Sequence, residues 1–347
     1  MIDYIYFKFR RLVKLLEYLV DKAIRSRLKN IITKNKLPIV IGPWTGEVGP
    51  ELQYWIPFLI KLKNSHYFDG HRLIVLSRGG VEQWYSNITN EYIEIFSLVD
   101  VKEFNEIVSE GGGAKKQVKP TKGELKLIQK SMDMVGVGDY KNLHPGIMWR
   151  EVLQWFNGDR SLTWLRQKID FSLFLSAPPK YKDIVDGLDL PKKYFAVKFY
   201  SSNLLPENEV VNNFITKIIS LLTKKYPVVL FSIEGIDDHN SIQFDSGTNN
   251  KVINISDSLT PSNNLGIQTE IINRSQGFFG TYGGFSILPA FVEKPSFSFC
   301  IMHWTNAKHH YFYHLHESVT TSIFDSFKQK YQVLDINTVD FIQESIL

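Results

Sequence analysis

The chain has one cysteine, Cys300, in 347 residues. That excludes an intramolecular disulfide and any metal site built from several thiolates. The same scarcity fits a reducing, cytoplasmic compartment. No apolar run approaches the roughly 20 residues a membrane-spanning helix needs. The N-terminal segment also lacks the unbroken apolar stretch of a secretion signal, because Lys14, Glu17 and Asp21 interrupt it. No segment repeats at the period of a solenoid. Most of the chain lacks excess basic charge as well. Through Lys36 there are ten Lys/Arg against three acids, which leaves 30 basic and 33 acidic residues in the remainder. The net charge of +4 therefore belongs to the N-terminal arm, and the body carries no electrostatic footprint for nucleic acid.

What is abundant is core material. Hydrophobic residues make up 44% and aromatics 14%, so the chain can bury sizeable cores. Its length exceeds what one core usually serves, which predicts two domains.

The arm, residues 1–36, spaces Ile5, Phe9, Leu12, Leu16, Leu19, Ile24 and Leu28 at about helical intervals among its basic residues. Two readings follow. One is a basic amphipathic helix lying on an anionic membrane face. The other is a helix packed on the body or on a partner subunit, with its charges solvated.

Beyond the arm, short apolar strands alternate with helices. Strands are predicted at Leu37–Ile41, Arg72–Ser77 and Ile93–Val99, with a helix from the GPWTGEVGPE stretch (Gly42–Glu51) to about Leu62 and another near Val81–Asn87. Helices at Lys122–Val135 and Gly146–Phe156 follow the GGGAKKQVKP loop. A second series has strands at Tyr194–Tyr200, Pro227–Ser232 and Lys251–Ile255, with helices at Glu207–Lys225 and Ser262–Ser275. Such alternation predicts α/β architecture with two Rossmann-like parallel sheets facing a cleft. The first spans 37–180 and the second 181–335, with the link in the proline- and charge-rich stretch from about Ser176 to Lys193. Residues 336–347 are predicted as a C-terminal helix that can fold back on the first domain.

The segment Gly277–Phe299, GFFGTYGGFSILPAFVEKPSFSF, is the most informative. It reads as a strand, a turn with Gly280, Gly283 and Gly284 around Thr281 and Tyr282, a helix start, and a strand after Pro295. Glycines before a helix N-terminus bring backbone amides close to a ligand and suit phosphate; the alternative is an ordinary turn. In the first domain, Glu47 lies among Gly42, Gly46 and Gly49 and could serve as a general base on a hydroxyl. Glu51 is a second carboxylate there, or a first-turn acid held by the helix dipole. Trp44 and Gly46 share this loop and, with Glu51, are candidates to line the first domain's side of the cleft.

Lys198, alternating with aromatics near a strand end, can pair with diphosphate oxygens, with Ser201, Ser202 and Asn203 after it as further donors. Its alternative is a solvent-facing strand position. Glu270 offers the two acceptor oxygens a ribose needs, or forms an i,i+4 pair with Arg274. Asp237–His239 can hold a divalent metal or contact a base or ribose, and among the five histidines between His303 and His316 the pair His310 and His314 shares a helical face that suits a metal; loop solvation and an aromatic–histidine lid or core edge are the other readings.

Taken together, GPWTGEVGPELQYWIPFL, KFYSSNLLPEN, DDH, NLGIQTEIINRSQGFFGTYGGFSILPAF and KPSFSF resemble bacterial glycosyltransferases of the GT-B architecture that serve capsule, O-antigen or other surface-polysaccharide synthesis. The resemblance runs from about Leu37 to Phe299 and leaves out the arm and the histidine-rich tail. It implies transfer of a sugar from a nucleotide-sugar donor, bound by the second domain, to a glycan or lipid-linked acceptor. By that resemblance Lys198 neutralises the diphosphate, the Gly280–Gly284 turn holds phosphate, Glu270 holds the ribose and Glu47 is the base. It also implies metal-independent chemistry with no cofactor, at the inner membrane face. An epimerase-like enzyme on nucleotide sugars and a non-catalytic component of a polysaccharide assembly complex are the other readings.

Overall fold

The computed structural model describes residues 36–111, 117–156, 160–170, 180–231, 242, 250–301 and 307–337, with the backbone alone at 307–316. Of the arm it describes positions 19, 22, 23, 26, 28 and 30, all helical. Asp237–His239 and residues 338–347 of the predicted C-terminal helix lie outside the described residues, as do the side chains of the histidine cluster; Ile336 and Asn337 are a turn.

The first sheet contains β1 (Ile39–Ile41), β2 (Leu73–Ser77), β3 (Tyr92–Glu94) and β4 (Lys141–Leu143), in the order β3-β2-β1-β4 with parallel pairings. Every residue of β1 and β2 is buried. That is the burial expected of a sheet covered on both faces, and it explains their unbroken apolar runs. The helices here are α1, described below, α2 (Val101–Glu110), α3 (Lys122–Met134), α4 (Gly146–Phe156) and α5 (Leu162–Arg166).

After α6 (Lys182–Asp186) the second sheet begins. It contains β5 (Phe195–Lys198), β6 (Val228–Leu230), β7 (Val252–Asn254), β8 (Phe278–Thr281), β9 (Ser296–Cys300) and β10 (Tyr331–Asp335). Their order is β10-β9-β8-β5-β6-β7, and all pairings are parallel. Its helices are α7 (Glu209–Lys225), α8 (Asn264–Arg274), α9 (Leu288–Phe291) and α10 (Ala307–Ser326). Two parallel α/β sheets are thus present, as the alternation predicts.

The details differ in several places, and β4 and α2 are elements the sequence reading does not predict. The strand predicted at Ile93–Val99 stops at Glu94, where the Glu94 side chain accepts from Phe96 N and starts a 3-10 turn, Ile95–Ser97. The helix predicted near Val81–Asn87 is a single 3-10 turn, Glu82–Tyr85. The stretch assigned to the link carries α6, which packs on α8. Strand β10 was not foreseen; its five residues are all only half-buried, so it lacks a strong apolar signature.

Helix α1 is composite: an α-turn Val48–Pro50, a π-helical segment Glu51–Trp55 and an α-helix Ile56–Asn64. Pro57 explains the widened segment. It has no N–H to give the carbonyl four residues back, and its ring crowds that carbonyl. Ile56 N instead reaches Glu51 O, five residues away. The π turn leaves Glu51, Leu52, Gln53, Tyr54 and Trp55 all buried.

The sheets do not stand apart across an open cleft. One continuous apolar cluster takes in Ile39 and Ile41 of β1, Leu265 and Ile271 of α8, and Ala196 and Phe278 of the second sheet. Gln53 Nε2 donates to Thr320 Oγ1 of α10 at 2.8 Å, tying the π turn to the second half of the chain. Leu28 of the arm is buried in the same cluster, and Asn30 O accepts from Lys141 Nζ at 2.9 Å, whereas Leu19 is exposed.

A candidate active site where the two sheets meet

Parallel α/β sheets present ligand sites beyond the carboxyl ends of their strands. Here the loop after β1 packs on the turn after β8, Gly49 against Gly284, and Gly79 after β2 accepts from Gly266 N of α8. The loop leaving β1 begins with a cis Gly42–Pro43 bond, and Gly42 has φ +115°. A side chain there would run into the Leu76 carbonyl, so both conformation and space require glycine.

The carbonyls of this loop are held one by one. Asn142 Nδ2 donates to Gly42 O at 2.7 Å, Gln117 Nε2 to Pro43 O at 2.8 Å, Trp44 Nε1 to Glu47 O at 3.2 Å, and Arg78 Nη2 to Gly46 O. Trp44 is buried and stacks on Trp55 at 6.0 Å, so it supports the turn from below. Thr45 Oγ1 donates to Glu124 Oε1 at 3.2 Å, and Glu124 Oε2 lies 3.2 Å from His144 Nε2. Gly146 N donates to His144 Nδ1, which makes that nitrogen an acceptor and leaves the proton on Nε2, facing Glu124. Burial works to raise the Glu124 carboxyl, but His144, Thr121 and Gln117 outweigh it and hold the group below its ordinary range. The loop is thereby fixed on a buried polar frame.

Glu47 ends the loop at the N-cap of α1, half-buried, and its side chain makes no cap bond. Glu51 has a different role. It is fully buried and receives three donors: Ser77 Oγ at 2.9 Å, Arg78 Nη1 at 2.8 Å and Tyr85 OH at 2.5 Å. Burial raises its pKa, against the pull of Arg78 and the two hydroxyls. Through Arg78, which also holds Gly46 O, Glu51 braces the Glu47 loop. It is neither on the acceptor surface nor a simple first-turn acid.

In the second sheet Lys198 closes β5 and is 2% exposed, not solvent-facing. Its Nζ donates to Gln268 Oε1 at 2.8 Å and lies 3.9 Å from the centre of the Phe285 ring and 5.9 Å from that of Phe231. The Thr281 hydroxyl is spent on the sheet: it accepts from Tyr200 N and donates to Tyr200 O, both at 2.9 Å. Tyr282 N donates to Phe299 O at 2.9 Å. Ser201 is half-buried beyond the strand, and Ser202 Oγ accepts from Leu204 N and Leu205 N.

The three glycines of the turn have protein neighbours where side chains would be. A Cβ on Gly280 would strike the Lys198 carbonyl, and one on Gly283 the Tyr200 hydroxyl. One on Gly284 would come within 2.5 Å of Gly49 N. Close packing thus accounts for each of them, and the first-domain loop lies directly against the turn. Glu270 is buried with both oxygens engaged: Oε1 accepts from Arg274 Nε at 2.6 Å and Oε2 from Asn273 Nδ2 at 3.2 Å. The i,i+4 pair is the arrangement realised, within the packing of α8 and not on a solvated face. Arg274 also reaches Asp186 of α6 at 2.5 Å.

The structure therefore packs the loop that carries Gly46 and Glu47 against the Gly280–Gly284 turn, Gly49 on Gly284, and engages both Glu270 oxygens within α8. Sequence reading missed Arg78 and Gln268. Arg78 follows a fully buried strand and precedes two glycines, so its place at a strand end, the feature it shares with Lys198, could have found it. Gln268 stands out only once α8 is seen to be buried from Asn264 to Ile272.

No family model matches the chain, and no curated protein matches it. Among solved structures it is similar to a family 9 glycosyl transferase from Veillonella parvula DSM 2008, with TM-score 0.44 and 12% identity over 87% of each chain. It is also similar to the E. coli heptosyltransferase WaaC with ADP, with TM-score 0.44 and 13% identity over 87% of this chain and 97% of that one. A third is the UDP-GlcNAc 2-epimerase of Methanocaldococcus jannaschii, with TM-score 0.38 and 10% identity over 87% of this chain and 89% of that one. Superpositions this loose carry no argument about chemistry, which rests on the site itself.

Proposed function

We propose that the protein is a glycosyltransferase that moves a sugar from a nucleotide-sugar donor to a glycan or lipid-linked acceptor of surface-polysaccharide synthesis. The observation that carries this reading is the meeting of two strand-end loops: one ends in Glu47, and the other packs around the buried cation Lys198, with Gly49 against Gly284 between them. A carboxylate and a cation on opposite sides of one seam match the two demands of the reaction. The leaving nucleoside diphosphate needs its charge stabilised, and the attacking hydroxyl needs a base.

In this reading Lys198 answers the diphosphate with Ser201 at the rim, while the Tyr282 and Gly283 amides of the glycine turn are given to Phe299 O and Ser286 Oγ within the protein. Glu47 accepts the proton of the acceptor hydroxyl as its oxygen bonds to the anomeric carbon and the diphosphate departs. Trp44, Gly46, Arg78 and Glu51 keep the Glu47 loop in one geometry, which such chemistry requires of its supports. The basic arm before Leu28 would hold the enzyme at an anionic, cytoplasmic membrane face, where a lipid-linked acceptor is presented.

A thermal-shift screen of nucleotide sugars should reveal one that stabilises the protein, and turnover of that donor then tests the base. Glu47→Gln should abolish transfer while the donor still stabilises the variant. Full turnover in Glu47→Gln would remove the base assignment, and a screen without any stabilising nucleotide sugar would remove the function.

A further inference from the structure

Gln268, beside Lys198, has half of its hydrogen-bonding capacity unused. It is fully buried on α8, and its Oε1 accepts from Lys198 Nζ at 2.8 Å. That bond fixes the orientation of the amide, because a flipped carboxamide would turn its NH2 toward an ammonium that has only donors to offer. The NH2 is left facing elsewhere, and Nε2 is buried without a hydrogen-bond partner. The rings nearest the Lys198 ammonium, Phe285 and Phe231, supply no lone pairs in the plane of an amide hydrogen. A buried donor in this state is costly, and native proteins seldom leave one without purpose.

We infer that Gln268 Nε2 and Lys198 Nζ together bind one oxyanion, a phosphoryl group of the ligand. An acceptor oxygen satisfies the amide, and negative charge on it is favoured by the adjacent ammonium, as a neutral acceptor's would not be. The choice of a phosphoryl group over another oxyanion rests on the proposed diphosphate site at Lys198; the pairing of amide and cation rests on the geometry alone. Gln268 then has two roles, orienting Lys198 through Oε1 and donating to the ligand through Nε2. A carboxylate in its place could do only the first.

The test is isothermal titration of inorganic pyrophosphate and of UDP, ADP, GDP and CDP into the full chain and its variants. Gln268→Leu and Gln268→Met keep the bulk and remove the amide. Each should weaken pyrophosphate, and whichever nucleotide binds, by about tenfold or more. Gln268→Glu keeps an oxygen for Lys198 but replaces the donors with negative charge, and should abolish pyrophosphate binding. If the variants fold poorly, wild-type protein with 15N-labelled glutamine gives a second readout: one side-chain amide pair should move downfield as pyrophosphate is added.

Wild-type affinity in the Leu and Met variants, or no amide shift under saturating pyrophosphate, would overturn the inference. Its failure is distinct from that of the proposed function. Nucleotide binding that ignores Gln268 but needs Lys198 overturns the inference alone. Pyrophosphate binding that needs Gln268, in a protein that takes no nucleotide, supports the inference and removes the donor site.

Discussion

Gly49 and Gly284 touch backbone to backbone: a Cβ on Gly49 would lie 2.9 Å from the Gly284 Cα, and one on Gly284 would lie 2.5 Å from Gly49 N. A second contact of the same kind runs alongside, where Gly266 N donates to Gly79 O at 2.9 Å and Tyr181 fills the space beside Gly80 and Gly266. The two halves of the chain are thus joined through glycines at which a Cβ would meet backbone or a tyrosine ring. The price of this seam is intolerance of any side chain.

Gly284→Ala should therefore destabilise the protein. The obstructing atoms are backbone and have no rotamer to escape into, so a cost of about 1–3 kcal/mol is expected, as for overpacked cores. Gly138→Ala is the control, since a Cβ there meets nothing within 4 Å; it should stay within about 0.5 kcal/mol of wild type. Urea denaturation of the two variants side by side decides the point, and equal midpoints would contradict the seam.

The Arg78–Glu51 pair gives a second prediction. Arg78→Met leaves a buried Glu51 carboxylate with only the Ser77 and Tyr85 hydroxyls, and should cost about 3–5 kcal/mol. Glu51→Gln should cost less, because it removes the buried negative charge while its one oxygen still accepts from the Ser77 and Tyr85 hydroxyls. Combining the two should cost less than their sum, since the residues share one interaction. Additive losses in denaturation experiments would show that the pair is not the brace described.

Much of this arrangement was legible in the sequence, and the missing parts share a cause. Apolar runs revealed β1, β2, β5 and β8, and helix periodicity placed α4 at Gly146–Phe156 to the residue. Those signals are local. The π turn at Glu51–Trp55 was not visible, because one extra residue per turn does not disturb an apolar run that is buried all round. The glycines of Gly280–Gly284 were visible as residues that need room, but their neighbours, Gly49, Tyr200 and the Lys198 carbonyl, come from elsewhere in the chain. Glu270 carried both of its readings in one spacing, and only the packing of α8 against α6 shows Arg274 folded onto it.

Glu94 gives a prediction in pH. Burial pushes its carboxyl up from 4.5 to about 6, against the amides of Gly80, Phe96 and Gly79 and the Tyr92 hydroxyl, which all favour the charged form. The folded protein therefore holds this proton more tightly than the unfolded chain does. Stability from the group is whole below pH 4.5 and is lost as pH rises through about 6, to the extent of about 2 kcal/mol. Glu94→Gln removes the titration. The stability of wild type relative to this variant should fall by that amount between about pH 4 and pH 7, measured by urea denaturation at each pH. A pH-independent difference would place the Glu94 pKa at its ordinary value.

The central claim, that the end of the second sheet binds the diphosphate of an activated sugar, is tested most directly by calorimetric titration of nucleoside diphosphates into wild type and Lys198→Ala. The account predicts that at least one diphosphate binds the wild type, that its parent nucleoside binds far more weakly, and that Lys198→Ala reduces the diphosphate affinity toward that of the nucleoside. Diphosphate binding of undiminished strength in Lys198→Ala, or no binding by the wild type, would contradict it.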